Sequence, residues 1–208
     1  MLTVYFMPGT VALASHIALA ESGAVYEARR VDFTQEEQRQ PAYLAVNPKG
    51  RVPALETPQG VLTETPAILA WIAQSHPEAR LAPLDDPFEF ARLQGFTAYL
   101  CATVHVAHAH GRRGPRWADD EAAWEAMKRK VPDSMGQCFA LIESDFLAGP
   151  WVMGEDYSIA DPYLYTVSRW LAGDGVDIAR FPKVQAHFEA MAHRPAVKRA
   201  LAEEGLEA

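Results

Sequence analysis

The stretch from Asn47 to Pro66 constrains the fold more than any other part of the chain. Its prolines at 48, 53, 58 and 66 and its glycines at 50 and 60 forbid a continuous helix, because an interior proline lacks the N–H and clashes with the preceding turn. They leave room for two short strands, Val52–Glu56 and Gly60–Thr63, joined by the turn Thr57-Pro58-Gln59. Directly afterwards Thr65 is placed to cap a helix whose first position is Pro66, where a missing N–H is no loss.

The flanking segments fit an α/β unit around this hairpin. Leu2 to Met7 is a β-rich run closed by Pro8-Gly9. Thr10 predicts a helix N-cap, with Leu13, Ile17, Leu19 and Ala20 as apolar positions and Gly23 as the stop. Val25 to Asp32 reads as a second strand, and a less regular helical stretch covers Pro41 to Val46. Ile68, Leu69 and Ile72 form the apolar stripe of the helix after Thr65, which Pro77 ends. The order β-α-β-α-β-β-α over residues 1–77 specifies a mixed four-stranded sheet. Residues 78–87, with Glu78, Asp85 and Asp86 among prolines, predict a linker. From Phe88 onward only helical periods occur, at Phe88–His110, Asp119–Phe146, Ser158–Leu171, Lys183–His193 and Ala196–Glu204. The expectation is a small α/β domain followed by an all-helical domain over 88–208, without repeats.

Within the helical half, Ser158-Ile159-Ala160-Asp161 is a variant capping box, with Asp in the usual Glu position and Tyr157 or Val152 as the apolar staple. It reads as structural, worth about 1 kcal/mol. A net charge of -8 and a pI near 5.3 argue against a nucleic-acid or anionic-membrane partner. Cys101 and Cys138 have no metal-type spacing and predict reduced thiols and a cytoplasmic location. Met1 to Gly9 lacks the basic start of a secretion signal, and no apolar run is long enough for a bilayer.

The chain resembles the glutathione transferases, and within them the bacterial beta class. Met7-Pro8-Gly9-Thr10, Leu13-Ala14-Ser15-His16, Ala45 to Leu55, Leu62-Thr63-Glu64-Thr65 and the Ser158–Asp161 box carry the resemblance by their order and spacing. It implies a thioredoxin-like domain holding glutathione as co-substrate, an all-helical domain lodging a small hydrophobic electrophile, a homodimer, and a detoxifying role without a metal. It further implies a cis Pro53, which presents the main chain of Val52 to the cysteinyl part of glutathione as one strand edge presents itself to another. Glu64 and Thr65, with the free amides of a helix start, suit the γ-glutamyl ammonium and carboxylate. Lys49 and Arg51 are the cations available for the glycyl carboxylate, where the family's lysine is replaced by the run Gln35-Glu36-Glu37.

Thiol activation departs from the family pattern. Beta-class proteins usually carry Cys-Ser where this chain has Val11-Ala12, side chains that neither donate a hydrogen bond nor form a mixed disulfide. A free thiol has a pKa near 8.5, so the anion needs donors. Val11 offers its amide at the helix start, and Thr10 is the nearest hydroxyl, with a plain cap role as its alternative. Tyr5 is a more remote hydroxyl and reads first as a core aromatic of its strand. His105 falls where the beta-class pattern places an active-site histidine, and Ala98 stands where an asparagine is expected. Cys101 and His108, one helical turn to either side of His105, are the candidate electrophile contacts. His105, His108 and His110 lack a carboxylate to complete a metal set. Arg112, Arg113 and Arg116 read as lining the cleft mouth or a subunit interface. The leading function is thiol transfer to an electrophile; a non-catalytic glutathione and ligand carrier, or an interaction scaffold, are the alternatives.

Overall fold

The computed structural model describes residues 1–207; Ala208, the last residue of the expected helical domain, lies outside them. Strands β1 (Leu2–Phe6), β2 (Tyr26–Arg30), β3 (Ala54–Thr57) and β4 (Gly60–Thr63) form one sheet in the order β2-β1-β3-β4. β2 runs parallel to β1, β3 antiparallel to β1, and β4 antiparallel to β3, with Val4 opposite Leu55 and Leu55 opposite Leu62. This is the mixed four-stranded sheet the sequence implies. The ladder reaches only Ala54, so Val52 and Pro53, expected within the strand, lie just outside it.

Helix α1 (Ala12–Glu21) is buried from Ala12 to Leu19. Its small Ala12, Ala14 and Ala18, all fully buried, let it lie tightly among its neighbours. α2 (Pro41–Leu44) is a single turn, and α3 (Thr65–Ser75) buries Ile68, Leu69, Ile72 and Ala73. The second half contains α4 (Pro87–Tyr99), α5 (His105–Ala109), α6 (Glu121–Leu141), α7 (Ala160–Ser168), α8 (Pro182–His193) and α9 (Pro195–Glu204). α1 packs on α7 and α9 as well as on α3. One apolar core runs from Leu2, Val4 and Leu55 through Leu93 and Phe139 to Tyr163, so the halves share an interior.

The helix expected over Phe88–His110 is not continuous. A π-helical turn at Leu100–Val104 separates α4 from α5. Its wider spiral rotates what precedes it relative to His105, so Cys101 no longer shares the simple face that an uninterrupted helix specifies. A second π turn, Ile142–Phe146, ends the helix expected to run from Asp119.

Two cap expectations need correction. Thr10 precedes α1, whose N-cap is Val11 without a side-chain cap bond. Thr65 is the first residue of α3 rather than its cap; Glu64 occupies that position at φ 72°, again without a side-chain cap bond.

The capping box is larger than its sequence pattern. Asp161, fully buried, accepts from the Val152 and Ser158 amides at 2.8 and 2.7 Å, from the Ser158 hydroxyl at 3.2 Å, and from His187 Nε2 at 3.0 Å. A comparable knot joins the halves. His16, fully buried on α1, faces Glu204 through Nδ1 at 3.1 Å and Glu203 through Nε2 at 2.7 Å, while Arg194 pairs with Glu21.

Candidate functional site

The loop before Val52 is built by Asn47, 1% exposed. Its Nδ2 donates to the Arg51 carbonyl at 2.7 Å, and its Oδ1 accepts from the Lys49 amide at 3.1 Å. Tyr43 donates its hydroxyl to the same Arg51 carbonyl at 2.7 Å. Gly50 sits at φ 59°, and a Cβ there would lie 2.9 Å from the Gln38 carbonyl oxygen; only glycine fits. These constraints hold a cis Val52–Pro53 bond at the entrance to β3. Among the described residues nothing bonds to the N–H or C=O of Val52, which leaves a free strand edge.

The second pole is the start of α3. The Thr65 and Ala67 amides and the Thr65 hydroxyl have no partner among the described residues, and the first helical bond is Ile68 to Glu64 at 3.0 Å. With no cap, these donors and the positive end of an eleven-residue helix present an anion site. Glu64 holds an exposed pair with Lys49 at 2.5 Å, and Lys49 also donates to Thr63 Oγ1 at 2.7 Å. Such an exposed pair contributes about 0–1 kcal/mol and yields readily to a better cation. Lys49 is thereby engaged, whereas Arg51 has no ion pair among the described residues.

The turn before α1 lies at the junction of the halves. Thr10 donates its hydroxyl proton to the Met7 carbonyl at 2.7 Å and accepts weakly from the Ala12 amide at 3.4 Å. Its one proton is therefore engaged with the turn's own backbone, and donation elsewhere requires the hydroxyl to rotate away from Met7. The Val11 amide has no partner among the described residues. Tyr5 is a core aromatic, donating to Glu56 at 3.0 Å and accepting from Arg29 at 3.2 Å.

From the helical half, Trp170 reaches this turn and donates its indole N–H to the Gly9 carbonyl at 3.2 Å. Its ring lies 5.1 Å from that of His105 and is stacked on His108 at 4.3 Å. His108 Nδ1 is 2.8 Å from Asp174, which is 9% exposed. Burial, with the charges of His108, Arg116, Arg51 and Arg113, lowers the His105 pKa to about 4, so at neutral pH its imidazole is uncharged. Burial lowers the pKa of Arg116, and the charges of Arg51 and Arg113 lower it further.

Cys101 belongs at the other end. Burial raises its thiol pKa, and the neighbouring Glu64 charge raises it further. His110 packs edge-on against Trp117. No grouping of three His, Cys, Asp or Glu side chains placed to hold a metal occurs among the described residues. A cavity of about 190 Å³ opens beside Thr10, lined by Gly9, Leu13, Thr166, Arg169, Trp170 and Leu206; it is below the usual ligand-pocket size. Trp170 and Asp174 carried no signal in the sequence, since they meet partners 161 and 66 residues away.

Comparisons with known proteins agree with this geometry. Residues 1–74 match the model of the glutathione S-transferase N-terminal domain, and residues 105–195 that of the C-terminal domain. The glutathione S-transferase GstA of Escherichia coli O157:H7 is 32% identical over 206 residues, 98% of each chain. A Sulfitobacter glutathione transferase homologue, crystallised with bound glutathione, is 47% identical with a TM-score of 0.95, covering 100% of this chain and 99% of its own. The beta-class glutathione S-transferase of Sphingomonas chungbukensis is 33% identical with a TM-score of 0.86, covering 99% of this chain and 100% of its own.

Proposed function

The chain belongs to the glutathione S-transferase family, and from that premise we propose that it binds glutathione along the Val52–Thr65 edge and transfers its thiolate to a small hydrophobic electrophile. The observation that carries this reading is the pair of open main-chain poles. The unbonded edge of Val52 and the uncapped start of α3 match the peptide middle and the γ-glutamyl end of one tripeptide. The Glu64 carboxylate takes the ammonium, exchanging it for Lys49. Arg51, with Arg113 and Arg116 behind it, takes the glycyl carboxylate.

The thiol then lies at the start of α1. The Val11 amide and the helix dipole favour its anion, and Thr10 adds a donor by turning its hydroxyl from the Met7 carbonyl. A hydrogen bond to a charged group contributes about 1.5–3 kcal/mol, and each unit of thiol pKa corresponds to about 1.4 kcal/mol. Neutral His105 serves as a hydrogen-bond donor, not as a positive charge. The electrophile rests against the helical half beside His105, and attack is assisted by placement of the two reactants. With Val11-Ala12 at this turn, thiol–disulfide exchange through a protein cysteine has no residue to perform it there. Cytoplasmic residence suits its free cysteines, and a homodimer is the assembly expected of such a chain.

The test is retention on immobilised glutathione together with conjugation of an aryl halide and ultraviolet titration of the bound thiol. Retention, turnover and a thiol pKa below that of free glutathione are expected. Retention with an unshifted thiol and no turnover makes the protein a carrier instead.

A further inference from the structure

The chain Asp174–His108–Trp170–Gly9 is not needed to hold the glutathione peptide, yet it ends at the turn that carries the thiol donors. The order of its contacts is specific. Asp174, almost wholly buried, fixes His108 through Nδ1 at 2.8 and 2.9 Å. The imidazole lies nearly parallel to the Trp170 indole, 21° apart at 4.3 Å. The indole N–H ends on the Gly9 carbonyl at 3.2 Å.

We propose that Trp170 is a positioning residue for the glutathione thiol, orienting the Gly9–Thr10 peptide through its indole N–H while the Asp174-anchored ring of His108 holds the indole in place. A peptide unit is planar and trans, so the direction of the Gly9 carbonyl dictates that of the Thr10 amide. That amide points to the Met7 carbonyl at 3.2 Å, and Gly9 at φ 73° has no Cβ to resist rotation of the turn. The next amide, that of Val11, has no partner among the described residues and is the donor available to the thiolate, while the Ala12 amide is turned to the Thr10 hydroxyl. The same indole N–H offsets the partial negative charge of a carbonyl oxygen near a developing anion. In a chain without a side-chain donor at positions 11 and 12, main-chain aim decides how much thiolate forms. His108 therefore supports the turn from behind and is not an electrophile contact.

This inference rests on the proposed thiol chemistry, and one set of measurements separates the two. Thiol pKa in the glutathione complex, kcat and KM for glutathione are compared for wild type, Trp170→Phe, His108→Phe and Asp174→Asn, with melting curves for each. Trp170→Phe keeps the ring and loses the N–H; it is expected to raise the bound-thiol pKa by about one unit and lower kcat at pH 6.5 about tenfold. KM is expected to change less than about threefold, because the poles at Val52 and Thr65 are untouched. His108→Phe keeps the stacked ring but frees it from Asp174, and Asp174→Asn weakens the anchor; both shift the thiol pKa in the same direction by less. A wild type that lowers the thiol pKa while Trp170→Phe leaves it unchanged overturns the inference alone, as does a rise in KM that matches the fall in kcat. A wild type whose bound thiol titrates like free glutathione overturns the proposed function and this inference with it.

Discussion

Replacing Asp161 by alanine tests how far the buried capping box exceeds an ordinary helix cap. An exposed cap is worth about 1 kcal/mol. Asp161 instead accepts from two main-chain amides, one hydroxyl and one imidazole, between 2.7 and 3.2 Å, with no exposure to solvent. Bonds to a charged acceptor contribute about 1.5–3 kcal/mol each but do not add, because they share one carboxylate. The variant also strands the Val152 and Ser158 amides and the fully buried His187 ring where water does not reach. Breaking such a buried network costs about 3–5 kcal/mol, so we expect a loss near 4 kcal/mol. For a chain of this length each kcal/mol shifts Tm by about 2–4 °C, giving a fall of roughly 8–16 °C. The assay is urea and thermal unfolding followed by circular dichroism. Asp86→Ala is the internal control, since Asp86 caps α4 at 2.9 and 3.1 Å from an exposed position. Equal losses of about 1 kcal/mol in both variants would refute the view of Asp161 as a buried hub.

His105→Gln should flatten the acid side of the stability curve. The folded-state pKa lies below the unfolded one, so the unfolded chain takes up the proton first and wild-type stability falls as pH drops from about 6.5 towards about 4; urea midpoints measured across that window check it. Arg51→Ala should raise KM for glutathione about tenfold, the effect of one lost charge-assisted contact, while Lys49→Ala changes it little; steady-state kinetics decide. Glu64→Gly relieves a non-glycine residue at φ 72° and should stabilise the fold by about 1 kcal/mol while weakening glutathione binding, which calorimetry with the melting curve separates.

What the sequence showed depended on distance along the chain. The hairpin after Val52–Pro53 and the helix that opens at Pro66 were legible because each is set by near neighbours, although the cap fell one residue earlier than Thr65. The family resemblance extended that reading to the cis bond and to the ligand. The π turn at Leu100–Val104 left no mark, since Leu-Cys-Ala-Thr-Val fits an α-helix equally well; its shape comes from packing. The roles of Trp170, Asp174 and the partners of His16 were hidden for the same reason. A histidine at position 16 and a glutamate at 204 become a pair only when the fold closes 188 residues of chain. The bond from the Thr10 hydroxyl to the Met7 carbonyl was hidden too, because its acceptor is main chain and carries no side-chain signal.

The knot of His16, Glu203 and Glu204, with Glu21 and Arg194 beside it, makes α1 answer to the far end of the chain. A piece cut at the linker would keep the open edge at Val52 and the uncapped start of α3 and yet leave α1 without the helix that grips it. The unit a designer could graft onto another scaffold is therefore not residues 1–77 alone. It is that segment together with α9, two stretches far apart in sequence that must be exchanged as one.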